Sequence, residues 1–198
     1  MLYEFNYLAP ESVSELLSTL SKNESYKILA GGTDLLIDIR AGLKKPVALV
    51  DIKKVRDLEK LVMNEKDGMI IGPAVTIADI LTNKSVQKHY PVLVQAGHQL
   101  GSPQVRNRAT VIGNICNASP CSDMALALLC LDASVVISSL SGSRTIKVNE
   151  FITGVKKTVL KSNEIVEKLI IGPEMQNLKS GFKKLKRIKG HDLSLVSV

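Results

Sequence analysis

Apolar residues near the start of the chain recur at helical spacing. Between residues 12 and 20 they lie on one helical face, and Ser12 with Glu15 matches a capping box where that helix begins. The segments that follow alternate in predicted structure, with a strand at 26–30, a helix from Thr33 to Gly42 and a strand at 47–52. Residues 1–55 are therefore predicted to form a small β-α-β subdomain, with Gly31-Gly32 in the turn before its second helix.

After residue 55 the pattern changes to hairpins and short helices. Asp67-Gly68 and Ser141-Gly142 each stand between two β-prone runs, which predicts two hairpins. Between these hairpins the sequence predicts three helices, which begin after Thr76, at Pro91 and after Ser122. Together with a β-prone run at 165–171, these elements predict a larger subdomain over residues 56–175.

The remaining residues, 176–198, are predicted to begin a further domain. Residues 192–198 are mostly apolar and β-prone, and they end without a turn, a cap or a polar tail. Because chain ends are normally polar and frayed, the expectation is that this C-terminal domain is truncated. The mixture of helices and strands predicts the α+β class.

The composition narrows the classes of partner. The net charge is +7, and the basic residues concentrate between Lys179 and Lys189. Trp is absent and aromatic residues make up only 4% of the chain, so the stacking surfaces of single-strand nucleic-acid binders are missing. The basic segment is interpreted as a solvated face or as a surface that docks an acidic partner, and nucleic acid is not an expected partner.

Neither a membrane span nor a targeting segment is expected. The longest apolar run, 124–131, is far below the roughly 18 residues that cross a bilayer, and the N-terminus lacks the features of a signal peptide. The expected location is the cytoplasm, where thiols stay reduced. Cys116, Cys121 and Cys130 are accordingly expected to be free, with no metal site, and Cys130 is expected in the core.

Two segments carry candidate chemistry. The run Ala30-Gly31-Gly32-Thr33-Asp34 suits a phosphate or pyrophosphate, because its backbone can approach a ligand closely and the next helix presents free amides. By itself, this run favours an ordinary tight turn that caps a helix. Residues 101–123 form a long polar segment, which is predicted to be a ligand-binding loop without regular structure. Within it, Asn114 is expected at a turn that tolerates positive φ.

The two segments together resemble one family. Ala-Gly-Gly-Thr-Asp at 30–34, Val-Arg-Asn-Arg-Ala-Thr-Val-Ile-Gly-Asn-Ile at 105–115 and Ala-Ser-Pro-Cys-Ser-Asp at 118–123 are similar, in order and spacing, to the FAD subunits of the xanthine dehydrogenase and carbon monoxide dehydrogenase family. The resemblance runs from Tyr7 to Asp192. It implies a two-subdomain FAD-binding fold of the PCMH, or vanillyl-alcohol-oxidase-like, type.

The resemblance also implies the cofactor contacts. It places the backbone of Gly31, Gly32 and Thr33 against the FAD diphosphate, and a second loop at 110–114 beside it. Asp123 is implied to accept from a sugar hydroxyl, Val166 to contact the adenine side and Lys184 to reach the flavin region. The implied FAD-binding residues in full are Ile28, Leu29, Ala30, Gly31, Gly32, Thr33, Asp34, Leu35, Leu100, Thr110, Val111, Ile112, Gly113, Asn114, Asp123, Val166 and Lys184. Many relatives have glycine where this chain has Ile112, so positive φ is not expected there.

The function that the resemblance implies is electron transfer. In the family, a molybdenum cofactor on a large subunit oxidises the substrate, electrons cross 2Fe-2S clusters on a small subunit, and FAD passes them to NAD+ or another acceptor. This chain is expected to hold FAD, to leave the molybdenum cofactor and the clusters to its partners, and to use no catalytic side chain. Two alternatives stay open: a truncated non-catalytic assembly module and a stand-alone FAD-dependent oxidoreductase.

Overall fold

The computed structural model describes residues 3–64, 66, 68–188, 190 and 192–198, and it is an α+β fold as predicted. Asp67 of the first predicted hairpin turn lies outside the described residues. The strands are β1 (Asn6–Leu8), β2 (Lys27–Leu29), β3 (Ala48–Asp51), β4 (Leu61–Asn64), β5 (Gly68–Ile71), β6 (Ser134–Ser139), β7 (Gly142–Lys147), β8 (Ile152–Gly154), β9 (Lys157–Thr158), β10 (Ile165–Ile171), β11 (Lys184–Leu185) and β12 (Val196–Ser197).

The helices are short, and most of them lie between β1 and β6. They are α1 (Val13–Leu20), α2 (Leu35–Arg40), α3 (Ile77–Thr82), α4 (Lys84–His89), α5 (Pro91–Gln99), α6 (Pro103–Arg106), α7 (Val111–Cys116), α8 (Asp123–Cys130) and α9 (Val148–Phe151). Within the described residues, no helix is long and apolar enough to span a membrane.

The N-terminal part is a three-stranded parallel sheet in the order β1-β3-β2. Its strand β1 escaped the sequence prediction because three residues are too few to show alternation. Helix α1 packs on this sheet and contributes Leu16 and Leu20 to a small core. The Ser12 hydroxyl caps α1 by accepting a hydrogen bond from the Glu15 amide. The Glu15 carboxylate accepts a hydrogen bond from the Glu11 amide and not from the Ser12 amide, so the predicted capping box is only half formed.

The larger part is a five-stranded antiparallel sheet in the order β4-β5-β10-β6-β7, and both predicted hairpins belong to it. Helices α3, α5, α7 and α8 contribute to the same buried core as the sheet. The first two residues of β10 face different cores, since Ile165 packs in the small core and Val166 in the large one. Strand β10 therefore lies where the two cores meet.

The structure corrects the prediction for residues 101–123. This segment was expected to be irregular, but it contains α6 and α7. Each helix starts at a hydroxyl cap, Ser102 or Thr110, and is too short to show helical periodicity in the sequence. Asn114 consequently lies inside α7, and the residues of this segment with positive φ are Gly101, at 52°, and Ala118, at 45°. The expected core position of Cys130 is also wrong, because Cys130 is exposed at the end of α8.

The C-terminal residues form a small hairpin in which β11 pairs with β12. The predicted strand at 192–198 is thus limited to Val196–Ser197. Phe182, just before β11, is buried in the larger core. The subdomain boundaries at residues 55 and 175 stay a prediction.

Candidate functional site

A cleft of about 770 Å³ opens at the carboxyl end of the small parallel sheet. Its walls are the turn after β2, the segment that contains α6 and α7, and residues 156–166 before and within β10. Ligands of open parallel sheets bind outside the carboxyl ends of the strands, and this cleft has that location. Its volume lies within the range of cofactor pockets, about 300–1,000 Å³.

The first wall is the turn at Ala30 to Asp34. Gly32 has φ of 73°, which favours glycine. The amides of Gly31, Gly32, Thr33 and Asp34 have no hydrogen-bond acceptor within the described part of the chain. Four consecutive amide groups beside an open cleft are a binding surface for an anion.

The second wall is built around the start of α7. The Thr110 side chain accepts from the Gly113 amide at 3.0 Å, and Thr110 also pairs with Thr76 in an isolated antiparallel bridge. Asn114 accepts from the Ser122 hydroxyl at 2.6 Å, which ties α7 to the start of α8. These contacts hold the start of α7 in place, although the segment belongs to no sheet.

The two walls touch through backbone atoms. A Cβ atom on Gly31 would lie 2.0 Å from the carbonyl oxygen of Arg108 and 3.0 Å from Cα of Ala109. No side chain fits in that space. Gly31 therefore allows the glycine turn to meet the segment before α7, although the two are far apart in the sequence.

The third wall contains Val166, which the resemblance implied, and Lys156, which sequence reasoning missed. Lys156 has φ of 57°, its amide donates to the Ala118 carbonyl at 2.8 Å, and its ammonium donates to Asn117 at 2.8 Å. Lys156 thereby fastens the β8–β9 turn to the end of α7. Its sequence signal was a lysine in a Gly-Val-Lys-Lys turn, which is too common to indicate a site.

Farther along this wall, Glu164 holds the loop before β10. Its buried carboxylate forms two hydrogen bonds with Arg144, one of 2.9 Å, and accepts from the Lys161 amide at 2.9 Å. The hydrogen bond from Arg144 lowers the pKa of Glu164, and the hydrogen bond from the Lys161 amide lowers it further. Burial raises this pKa, but the hydrogen bonds outweigh burial. Four lysines line the cleft, Lys27, Lys44, Lys156 and Lys161, together with three carboxylates, Asp34, Asp38 and Glu164. Because Asp38 is paired with Lys44 and Glu164 with Arg144, the remaining lysines give a small excess of positive charge, which favours a negatively charged ligand.

Most of the residues implied by the resemblance come together in this cleft. The residues that line it are Ile28, Ala30, Gly31, Gly32, Thr33, Asp34, Leu35, Leu100, Thr110, Ile112, Gly113, Asn114 and Val166. Leu29, Val111, Asp123 and Lys184, all within the described ranges, are not part of its lining. Ile112 lies in α7 without positive φ, as expected.

Asp123 and Lys184 form a buried ion pair beside the cleft. Their N–O distance is 2.8 Å, and the two side chains are only 5% and 3% exposed. The Asp123 Oδ1 atom is buried without a hydrogen-bond partner among the described residues. Lys184 is thus not part of a solvated basic face, and the interpretation of the whole basic segment as solvated is wrong at this residue.

Cys116 is a predicted free thiol that lines the cleft. Burial raises its pKa to about 12, so it is a neutral thiol at physiological pH. In the part of the chain that the structure describes, no group of three or more His, Cys, Asp or Glu side chains is placed to hold a metal ion.

Free amides on a glycine turn, a second segment packed against it and a lysine-lined cleft define a protein that binds a phosphate-containing cofactor. The chain belongs to the family of the FAD binding domain in molybdopterin dehydrogenase, which matches residues 3–174. FAD is the cofactor of this family. The residues fit it, since the cleft has the required size and the four amides suit a diphosphate.

Curated relatives support the same family. The chain is 35% identical to the glyceraldehyde dehydrogenase medium chain of Sulfolobus acidocaldarius, over 98% of this chain and 68% of that one. It is 33% identical to the nicotinate dehydrogenase FAD-subunit of Eubacterium barkeri, over 98% of this chain and 67% of that one. These relatives are subunits of oxidoreductases.

Solved structures share the fold. Carbon monoxide dehydrogenase from Hydrogenophaga pseudoflava superposes with a TM-score of 0.91 at 28% identity, covering 98% of this chain and 67% of that one. Quinoline 2-oxidoreductase from Pseudomonas putida 86 superposes with a TM-score of 0.94 at 28% identity, covering 100% of this chain and 68% of that one.

Proposed function

We propose that the chain is the FAD-binding electron-transfer subunit of a molybdenum hydroxylase complex, and that it passes electrons from iron-sulfur clusters through FAD to NAD+ or another acceptor. The observation that carries the proposal is the turn of free amides at Gly31 to Asp34, held against the segment before α7 in a chain of this family. The partners we propose are a molybdenum-binding large subunit and an iron-sulfur small subunit.

In this proposal the chain binds and orients FAD. The flavin, when bound, supplies the redox chemistry. The amides of the glycine turn bind the diphosphate, and the residues of the α7 segment that line the cleft lie beside it. Lys156 and Lys161 add positive charge on the opposite wall. We assign no general acid or base.

Asp123 and Lys184 have a different part in this proposal. Because Asp123 retains a buried oxygen without a partner among the described residues, it is the acceptor we propose for a hydroxyl of the cofactor chain. Lys184 then holds the Asp123 carboxylate in place. This assignment requires the cofactor to reach beyond the open cleft toward α8.

The test is reconstitution of the complex with Gly32→Trp in this chain. Gly32 has positive φ, and a side chain there would collide with Leu29 and Leu36, so the glycine turn could not keep its conformation. We expect the parent complex to bind one FAD per copy of this chain and to reduce its acceptor, whereas the variant complex assembles without flavin and does not reduce the acceptor. Flavin absorbance measures the bound FAD, gel filtration measures assembly of the complex, and the rate of acceptor reduction measures electron transfer.

Gly142→Trp is the matched control. Gly142 also has positive φ, at 131°, but it is the exposed first residue of β7, and apart from its chain neighbours no atom of the described residues comes within 4 Å of the position that a Cβ would take. This variant should retain flavin and acceptor reduction. A parent complex that never takes up FAD, or a Gly32→Trp complex that reduces the acceptor as fast as the parent, contradicts the proposal.

A further inference from the structure

A chain of polar contacts crosses the small sheet and ends at the glycine turn. The Tyr7 hydroxyl, in β1, donates to Oδ2 of Asp51 at 2.7 Å. Asp51 is the last residue of β3, and its Oδ2 atom lies 2.7 Å from the Lys53 ammonium. Lys53 in turn donates to the carbonyl oxygen of Ala30 at 3.2 Å. The contacts therefore link β1 and β3 to the turn that follows β2, at the residue before Gly31.

The Asp51 carboxylate is buried and fully engaged. Its side chain is 7% exposed, against 38% for Lys53, and its Oδ1 atom accepts from the Lys53 amide at 2.9 Å. Burial raises the pKa of Asp51, but the hydrogen bonds from Lys53 and Tyr7 outweigh burial and lower the pKa below its ordinary value. The carboxylate is thus charged at neutral pH, and it fixes the position of the Lys53 ammonium.

The Ala30 carbonyl and the Gly31 amide belong to the same peptide unit. That unit is planar and trans, so its C=O and N–H point in opposite directions. By binding the carbonyl oxygen, Lys53 sets the direction of the Gly31 N–H, the first of the four free amides of the turn. Neither Lys53 nor Asp51 lines the cleft, whereas Ala30 and Gly31 do.

We infer that Asp51 and Lys53 are positioning residues for the cofactor diphosphate: they act through the Ala30–Gly31 peptide and hold its amide ready to bind an anion. The inference rests on the proposed function, because it assigns the diphosphate of FAD to this turn. It adds two residues outside the cleft to the binding machinery. A donor that is already oriented loses less free energy on binding than a mobile one.

The test compares Lys53→Met with Lys54→Met. The two lysines are adjacent and exposed, and both changes remove one positive charge. FAD is titrated into each full-length variant, and binding is read from the quenching of flavin fluorescence. We expect Lys53→Met to weaken FAD binding roughly tenfold, as for the loss of one charge-assisted hydrogen bond, and Lys54→Met to change it less than about twofold.

Two further variants separate positioning from general stability. Lys53→Arg keeps a charged donor and should recover most of the affinity. Asp51→Asn should weaken binding, and the double variant with Lys53→Met should be no weaker than Lys53→Met alone, because both residues act along one chain of contacts. Because Lys53→Met also removes the charged partner of the buried Asp51 carboxylate, its melting temperature without FAD should lie below that of Lys54→Met, so FAD binding is compared at a temperature at which both variants are folded.

The outcomes that overturn the inference are distinct from those that overturn the proposed function. If the parent binds FAD and Lys53→Met binds it equally well, or if Lys54→Met is weakened as much, the inference fails alone. Fully additive losses for Asp51→Asn and Lys53→Met also overturn it. A parent chain that binds no FAD, either alone or in the reconstituted complex, overturns the proposed function together with this inference.

Discussion

Gly31 and Gly32 are adjacent, but they are required for different reasons. Gly32 supplies a left-handed backbone, with φ of 73°. Gly31 has no such need, and it is constrained by the Arg108 carbonyl, which would lie 2.0 Å from a Cβ atom. The smallest side chain at residue 31 therefore pushes the two walls of the cleft apart.

Gly31→Ala should accordingly lower both stability and cofactor binding. We expect the free energy of unfolding, measured with urea, to fall by about 1–3 kcal/mol, since overpacking forces the backbone to shift. FAD affinity should fall at least roughly tenfold, because the free amides move with the turn. Gly181→Ala is the control, as a Cβ there meets Gln95 at 3.7 Å, an ordinary contact distance. Equal behaviour of the two variants would show that the close approach of Gly31 and Arg108 has no energetic consequence.

Single elements of the cleft depend on side chains that no local sequence pattern singles out. The loop before β10 is held by Glu164 and Arg144, which are 20 residues apart and meet only once β7 and β10 are in place. The pKa of Glu164 is lowered by this contact, below its ordinary value of 4.5. The ion pair therefore stabilises the fold above that pH, and the stabilisation is lost as the pH falls through the folded-state pKa.

Glu164→Gln should show this pH dependence. At pH 7 we expect the variant to be less stable than the parent by about 1–3 kcal/mol, because Arg144 loses a charged partner. The difference should shrink as the pH falls below 4.5, where the parent loses the same charge. Urea unfolding at several pH values measures it, with the exposed Glu150→Gln as control. A difference that is constant with pH would assign the effect to packing.

The elements predicted correctly are those with a local signal. The hairpins have Gly-containing turns, and α1, α3 and α8 begin at hydroxyl caps followed by apolar residues. Helices α6 and α7 and strand β1 span only three to six residues, too few for periodicity to appear. Lys156, Glu164 and the Asp51–Lys53 pair depend on long-range contacts, which one sequence does not display. Most of the residues implied by the family resemblance line the cleft, but they make up less than half of its lining.

At the scale of the whole molecule, the buried pair of Lys184 and Asp123 joins the C-terminal hairpin to α8. The residues are 61 positions apart, and together with Phe182 they attach the last part of the chain to the larger core. Loss of the charged partner of a buried carboxylate is strongly destabilising. The hairpin and the start of α8 therefore form one structural unit.

Lys184→Met should destabilise the chain by about 3–5 kcal/mol in urea unfolding, since it leaves the Asp123 charge buried and unpaired. Lys183→Met, at the exposed neighbouring residue, should change the stability by less than about 0.5 kcal/mol. The double variant Asp123→Leu/Lys184→Met should recover part of the loss, because no charge remains unpaired. Similar stabilities of the two single lysine variants would contradict a structural role for the pair.

The strand order of the small sheet has a consequence for how the protein is made. The middle strand β3 is the last of the three in the chain, so β1 and β2 have no partner in this sheet until Asp51 has been synthesised. Arg108, which packs against the glycine turn, is synthesised after this sheet. Val166, which completes the lining of the cleft, is synthesised later still. A ribosome must therefore extend the polypeptide at least as far as Val166 before any cofactor can be captured. Capture of the flavin is thus expected to follow the synthesis of all three walls of the cleft.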